Sequence, residues 1–194
     1  MEQVLNISEF IENRVNDARN LTADAYNFPM LNLQHLAQDI VLAFQQGAKI
    51  AFLGNGGSAA ESIHLAAEFT GKCVIDHEPL NAICLNESQS ALTAIANDYG
   101  VAEMFSRQVR AQMSEGDILI VLSTSGQSPN ILKAIDAAIG KKVRVILWMG
   151  KREFLNDSVE VWHVNSFATP RIQEIHLIWG HILAESVEYM WVSK

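Results

Sequence analysis

The chain is short of cysteine, of basic residues and of long apolar runs, and each shortage removes a class of function. Only two cysteines are present, Cys73 and Cys84, near apolar stretches and without metal-type spacing. Buried thiols of a cytosolic protein are expected, rather than a disulfide framework or a thiolate metal site. Lys and Arg number 14 against 22 acidic residues, a formal net charge of −8. No stretch collects enough of them to neutralise several phosphates, which argues against nucleic acid as a partner. The one locally basic run, Lys141 to Arg144, reads as solvated surface. No segment approaches the ~18 consecutive apolar residues of a membrane span. The acidic, amphipathic residues 1–14 resemble neither a secretory signal nor a transit peptide. A cytoplasmic protein without a membrane partner is the expectation. Linkers, repeats and low-complexity segments are missing too, so the 194 residues are expected to form one domain, 1–194.

Charge of either sign is scarce, at 19% of residues against 49% hydrophobic. So lightly charged a surface implies apolar area buried between subunits. Val4, Ile7, Phe10, Ile11 and Val15 recur at helical spacing, and Leu31, Leu33, Leu36, Ile40, Val41 and Phe44 do so before Gly47. Two N-terminal helices within residues 1–46 are predicted, available for oligomer packing. The pattern then changes to short apolar runs followed by helical stretches: 49–53, 80–85, 117–122, 143–148 and 159–164. Five buried strands with intervening helices predict a three-layer α/β/α sandwich on a parallel, doubly wound sheet. A long last helix is predicted from about Pro170 to Trp191. Its apolar residues spread wider than one stripe, which suits packing on its own sheet and on a neighbour.

Two loops carry the anion-binding chemistry. Gly54-Asn55-Gly56-Gly57-Ser58 follows the first strand and opens a helix, where glycines permit close backbone approach and free N–H groups point outward. It has neither the spacing of a dinucleotide fingerprint nor a Walker lysine. Ser123-Thr124-Ser125-Gly126-Gln127-Ser128 repeats the arrangement after the third strand, with a helix start at Pro129. Hydroxyls and amides at a helix N-terminus suit a phosphate monoester, with the dipole adding ~0.3–1 kcal/mol. Neutral donors without Lys or Arg favour a small phosphorylated metabolite over nucleoside triphosphate chemistry. In an open parallel sheet both loops fall at the carboxyl ends of strands, where ligands bind.

Next to the first loop, His64 and Glu68 stand four residues apart and share a helix face. An imidazole and a carboxylate so placed can chelate one metal ion or divide acid–base work. His176 reads as structural, and His35, His77 and His163 as ordinary surface or core residues.

The run 54–72, then 91–100, 104–109, 116–130 and 171–183, resembles the sugar isomerase (SIS) fold and, within it, the bacterial phosphoheptose isomerases. The resemblance covers nearly the whole chain. It implies a homotetramer that converts sedoheptulose 7-phosphate into D-glycero-D-manno-heptose 7-phosphate for lipopolysaccharide or a related glycan, and that holds zinc. Carried over by motif, Glu68 and His181 take the catalytic positions, and His64, Glu68, Gln173 and His181 the metal positions. Substrate contacts fall to Asn55, Gly56, Gly57, Glu68, Asn97, Asp98, Ser123, Thr124, Ser125, Ser128 and Gln173. Two stretches depart from the family pattern, Met149 to Phe154 and Pro170, and they bear on sugar specificity. Three alternatives stay open: an isomerase of another phosphorylated ketose, a SIS-fold adaptor for the replication initiator, and a sugar-phosphate sensing module, for which the phosphate loop would suffice without Glu68 or His181. Adaptors lack the Glu and His that this chain keeps as Glu68 and His181.

The implied metal set poses a geometric problem. Gln173 and His181 are eight residues apart, about 12 Å along one helix, whereas the ligands of one zinc lie within ~4 Å of each other. Both serve one ion only if two copies of the helix contribute, which places the site at a subunit interface.

Overall fold

A computed structural model describes residues 6–27 and 30–193. The elements run α1 (Ile7–Asn27), α2 (Met30–Gln45), β1 (Ile50–Gly54), α3 (Gly57–Thr70), β2 (Ala82–Cys84), α4 (Gln89–Tyr99), α5 (Ser106–Gln112), β3 (Ile118–Leu122), α6 (Pro129–Gly140), β4 (Arg144–Met149), β5 (Val159–His163) and α7 (Thr169–Val192), with a 3₁₀ turn at Val101–Glu103. All five strands are parallel, in the order β2-β1-β3-β4-β5. The five runs legible in the sequence are these strands. The second is shorter than its apolar run, because as an edge strand it pairs only along Ile50 to Phe52 of β1. Leu85, beyond its end, is still tied by its N–H to the Phe52 carbonyl at 2.9 Å.

Both sheet faces are covered, which is why the strands read as continuous apolar runs instead of alternating. Ile50, Phe52, Ile118, Ile120, Leu122, Ile146 and Trp148 point into a core closed by α2, α3 and α7. Their neighbours Ala51, Leu53, Leu119, Val121, Val145, Leu147 and Met149 point into a second core under α5 and α6. Trp148, Trp162 and Trp179 fill the first core, with Trp148 and Trp162 stacked at 5.6 Å between ring centroids.

Val4 of the first apolar stripe lies outside the described residues. Ile7, Phe10, Ile11 and Val15 share α1 and are all exposed in the single chain. The last helix buries Ile172, Ile175, Trp179, Leu183 and Val187 against the sheet and leaves Leu177, Ile178, Ile182 and Met190 only partly covered. Its broad apolar surface is thus half used. The basic run sits at the turn into β4, where Lys142 takes φ 58° and Arg144 spans Asp39 on α2 and Glu160 on β5. Burial pulls the Arg144 guanidinium down, but those carboxylates outweigh it and raise it above its ordinary value. No helix among the described residues is long and apolar enough to cross a membrane.

Candidate active site

In this strand order the chain leaves β1 toward β2 on one side and returns to β3 on the other. The carboxyl ends of β1 and β3 therefore flank a switch point, where open α/β sheets bind ligands. The loop after β1 is pinned by Asn86, whose side chain accepts from the Gly54 N–H at 3.1 Å and donates to the Gly54 carbonyl at 2.9 Å. Asn55 is held by a reciprocal amide pair with Asn130 at the start of α6, at 3.0 and 2.8 Å. Gly56 takes φ 56°, in the left-handed region, and a Cβ on Gly57 would collide with the Gln173 amide. The turn thus requires glycine at Gly56, whereas Gly57 makes room for the Gln173 amide to pack onto the loop.

The loop after β3 folds on itself. Ser123 Oγ accepts from the Gly126 N–H at 3.1 Å and Ser125 Oγ from the Gln127 N–H at 3.2 Å. Gly126, at φ 65°, lies on Met149 and Phe154, so the segment that departs from the family pattern forms the floor of this loop. Between the two loops opens a cleft of about 280 Å³ lined by Asn55, Gly56, Gly57, Ser58, Leu122, Ser123, Thr124, Ser125, Ser128, Thr169 and Gln173. Two helix N-termini, those of α3 and α6, adjoin it. Neutral donors and helix dipoles at one point suit a phosphate monoester.

α3 and α7 run side by side in the same direction and in fixed register. Ser58 meets Gln173, Leu65 meets Gly180, His64 meets His181, and the segment after α3 meets Glu188. A Cβ on Gly180 would collide with the Leu65 side chain, so close helix contact depends on that glycine. This contact brings His181 to His64, with the two Nε2 atoms 2.8 Å apart and the rings nearly perpendicular. Glu68 Oε1 stands 3.4 Å from His64 Nε2. One ligand atom from each of His64, Glu68 and His181 lies within 4.8 Å of the other two. Imidazole nitrogens and a carboxylate oxygen converging so closely fit zinc, which takes such donors at ~2 Å in tetrahedral geometry. His64 is exposed and Glu68 half-buried, so the cluster is open to a further ligand or a substrate.

Gln173 is not part of this cluster. Its Nε2 lies 3.4 Å from Ser58 Oγ, a long contact at the phosphate cleft two helical turns away. One chain does not bring all four implied ligands together, in keeping with the separation computed from the sequence. Asn97 and Asp98 also stand apart: they sit on α4, which has no buried residue, and Asn97 Nδ2 donates to Asp98 Oδ1 at 2.8 Å outside the cleft.

Sequence reasoning missed several participants. Asn86 and Asn130 brace the loops across 32 and 75 residues of chain, a separation no local pattern reports. Glu188 is fully buried on α7 and accepts from the N–H groups of Cys73, Val74 and Ile75, and it meets His77 Nε2 at 3.2 Å. Burial pushes its carboxyl up, but these donors outweigh that and hold it below the ordinary range. His77 therefore belongs to a buried polar contact with Glu188 that fastens the segment after α3. Cys73 approaches Glu68, and burial, reinforced by that carboxylate, pushes its thiol up to about 12. Burial likewise pushes Cys84 up to about 12, which favours the thiol over the nucleophilic thiolate at both cysteines. His176 is structural: it is fully buried beside Trp148 and Trp179, and desolvation brings it down to about 3 and keeps it neutral. Glu61, on α3 between Gly57 and His64, is the least expected group. Among the described residues neither of its oxygens has a hydrogen-bond partner. Burial pushes its carboxyl up to about 7, a shift the nearby Ser58 hydroxyl only partly opposes.

The SIS domain family model matches residues 15–148. The chain is 44% identical over 158 residues to a phosphoheptose isomerase of Thermodesulfovibrio yellowstonii, covering 80% of this chain and 79% of that protein. It is 40% identical over 189 residues to the phosphoheptose isomerase of Burkholderia pseudomallei, covering 95% and 96%. Its fold superposes on a phosphoheptose isomerase structure from Neisseria gonorrhoeae with a TM-score of 0.85 and 34% identity, over 95% of this chain and all of that one. Nearly full-length identity at this level, together with a phosphate-type cleft two helical turns from a His–Glu–His cluster, makes the chain a member of the phosphoheptose isomerase family of SIS-domain proteins.

Proposed function

We propose that the chain is an aldose–ketose isomerase that converts sedoheptulose 7-phosphate into D-glycero-D-manno-heptose 7-phosphate. The observation that carries this reading is the convergence of His64, Glu68 and His181 beside the phosphate-type cleft. Ser58 and His64 are separated by about 9 Å of helix rise, and Ser58 and Glu68 by about 15 Å. An extended heptose spans roughly 9 Å from C2 to its phosphorus, given bonds of ~1.5 Å. A phosphate in the cleft thus leaves C1 and C2 within reach of the cluster.

In the proposed reaction the Glu68 carboxylate takes a proton from C1 of the open-chain ketose, leaving an enediolate. The same group returns a proton to C2, which becomes the new CHOH carbon. His181, half-buried and beside His64, moves the second proton from the C1 hydroxyl to the C2 oxygen, so that C1 ends as the aldehyde. Ser123, Thr124, Ser125 and Ser128, with the backbone of Asn55, Gly56 and Gly57, hold the phosphate, and Gln173 borders the sugar where it leaves the cleft. Asn97 and Asp98 are proposed to reach the substrate from α4 of a neighbouring copy. His64, Glu68 and His181 would hold a zinc ion, whose Lewis acidity stabilises developing charge on the sugar oxygens. A Gln173 from a second copy would complete that set in a homotetramer covered by α1 and the open face of α7. The setting we infer is cytoplasmic, supplying heptose precursors of lipopolysaccharide or a related glycan.

The test is direct. Purified protein incubated with sedoheptulose 7-phosphate in deuterated water should yield the aldose with deuterium at C2, read by NMR. Absence of aldose with the metal-loaded, folded protein would overturn the assignment.

A further inference from the structure

Glu61 is buried and, among the described residues, no hydrogen bond of normal geometry reaches either oxygen, the Ser58 hydroxyl being the nearby donor, although an ionised carboxylate can accept about four hydrogen bonds. Buried carboxyls are ordinarily partnered, because an unpaired one carries its full desolvation cost. Glu61 lines a recess of about 300 Å³ together with Gly57, Pro170, Gln173, Glu174 and Leu177. Gly57 and Gln173 also line the phosphate cleft, so the two hollows share a wall. The other carboxylate of the recess, Glu174, is already paired with Arg171. Of the two carboxyls in the recess, Glu61 is thus the one left open.

Its position along α3 indicates what fills it. The phosphate-binding residues end at Ser58, Glu61 follows about 4.5 Å of helix rise later, and His64 and Glu68 about 9 and 15 Å later. A sugar phosphate presents groups in the same order: phosphate, the row of secondary hydroxyls, then the reacting carbons. We infer that Glu61 is a specificity-determining residue that accepts hydrogen bonds from the hydroxyls of the sugar chain between the phosphate and the reacting carbons. A site built to bond hydroxyls rejects analogues that lack them, since the buried acceptor is then unpaired. This inference rests on the phosphate-binding role proposed for the neighbouring cleft.

The test uses the full-length protein and unreactive ligands of rising hydroxyl count: inorganic phosphate, glycerol 3-phosphate, xylitol 5-phosphate and sorbitol 6-phosphate. Calorimetry on the wild type should show affinity climbing along this series. Glu61→Leu should flatten the climb, losing about tenfold for sorbitol 6-phosphate while binding inorganic phosphate as before. Glu61→Gln, which keeps one acceptor oxygen and the volume, should retain part of the slope and controls for misfolding. A Glu61→Leu protein with an undiminished slope, or one that loses phosphate and sorbitol 6-phosphate equally, overturns the inference. The isomerase reading fails separately, if the wild type makes no aldose from sedoheptulose 7-phosphate, because the affinity series involves no turnover.

Discussion

His181 meets His64 Nε2 to Nε2 at 2.8 Å, while Gln173, eight residues earlier on the same helix, lies against Ser58 at the phosphate cleft. One helix therefore serves two stations. The fixed register of α7 on α3 keeps the stations about two helical turns apart, a distance suited to a substrate with a phosphate at one end and reacting carbons at the other.

Glu68→Gln should leave the fold and the melting temperature nearly unchanged, because the amide is almost isosteric and the side chain is only half-buried. It cannot accept the carbon-bound proton, so kcat should fall about 10²–10⁴-fold or more. Circular dichroism and single-turnover assays check the two halves. A folded variant with near-normal turnover would remove Glu68 from the chemistry.

Ser125→Ala and Ser128→Ala should weaken binding of the phosphorylated sugar and leave the already weak binding of the free sugar unchanged. Both residues line the cleft, and Ser128 stands at the N-terminus of α6, where an anion is favoured. Calorimetry with sedoheptulose 7-phosphate and sedoheptulose separates the effects. Equal losses for both ligands would assign the hydroxyls to the sugar or to the fold.

Much of this was legible in the sequence, and what was not has a common cause. Apolar runs gave the strands because a doubly covered parallel sheet buries both faces. Glycines and hydroxyls marked both loops, and the i, i+4 spacing paired His64 with Glu68. The bracing of those loops by Asn86 and Asn130, the Glu188–His77 pair and the isolation of Glu61 all depend on contacts across the fold. Asn97 and Asp98, implied by motif as substrate residues, lie outside the cleft of a single chain, because α4 rests on its surface with no buried residue.

Stability should carry a pH signature from Glu61. Its carboxyl is raised by burial from an ordinary 4.5 to about 7 in the folded protein. The folded state then holds this proton more tightly than the unfolded state does. That contribution is complete below 4.5 and is lost as pH rises through about 7. Glu61→Gln, which never ionises, should lose less stability than the wild type between pH 5 and pH 8. Urea denaturation midpoints at several pH values measure this, and parallel curves for the two proteins would contradict it.

Gln173 and His181 give the sharpest test of assembly. If the metal set of one copy is completed by Gln173 of a second, Gln173→Ala and His181→Ala subunits are each inactive alone. Mixed in one oligomer, they create some sites that pair a native His181 from one chain with a native Gln173 from the other. Activity should then return in part, rising with the fraction of mixed oligomers and reaching at most the share of sites that pair native residues. The surface needed for such assembly is present: Ile7, Phe10, Ile11 and Val15 are exposed on α1, and Tyr189 on α7. Co-expression with two affinity tags isolates the mixed species, whose turnover is compared with that of each parent. Verified mixed oligomers with no recovered turnover would mean that Gln173 and His181 act from the same chain, with Gln173 confined to the phosphate cleft where it touches Ser58.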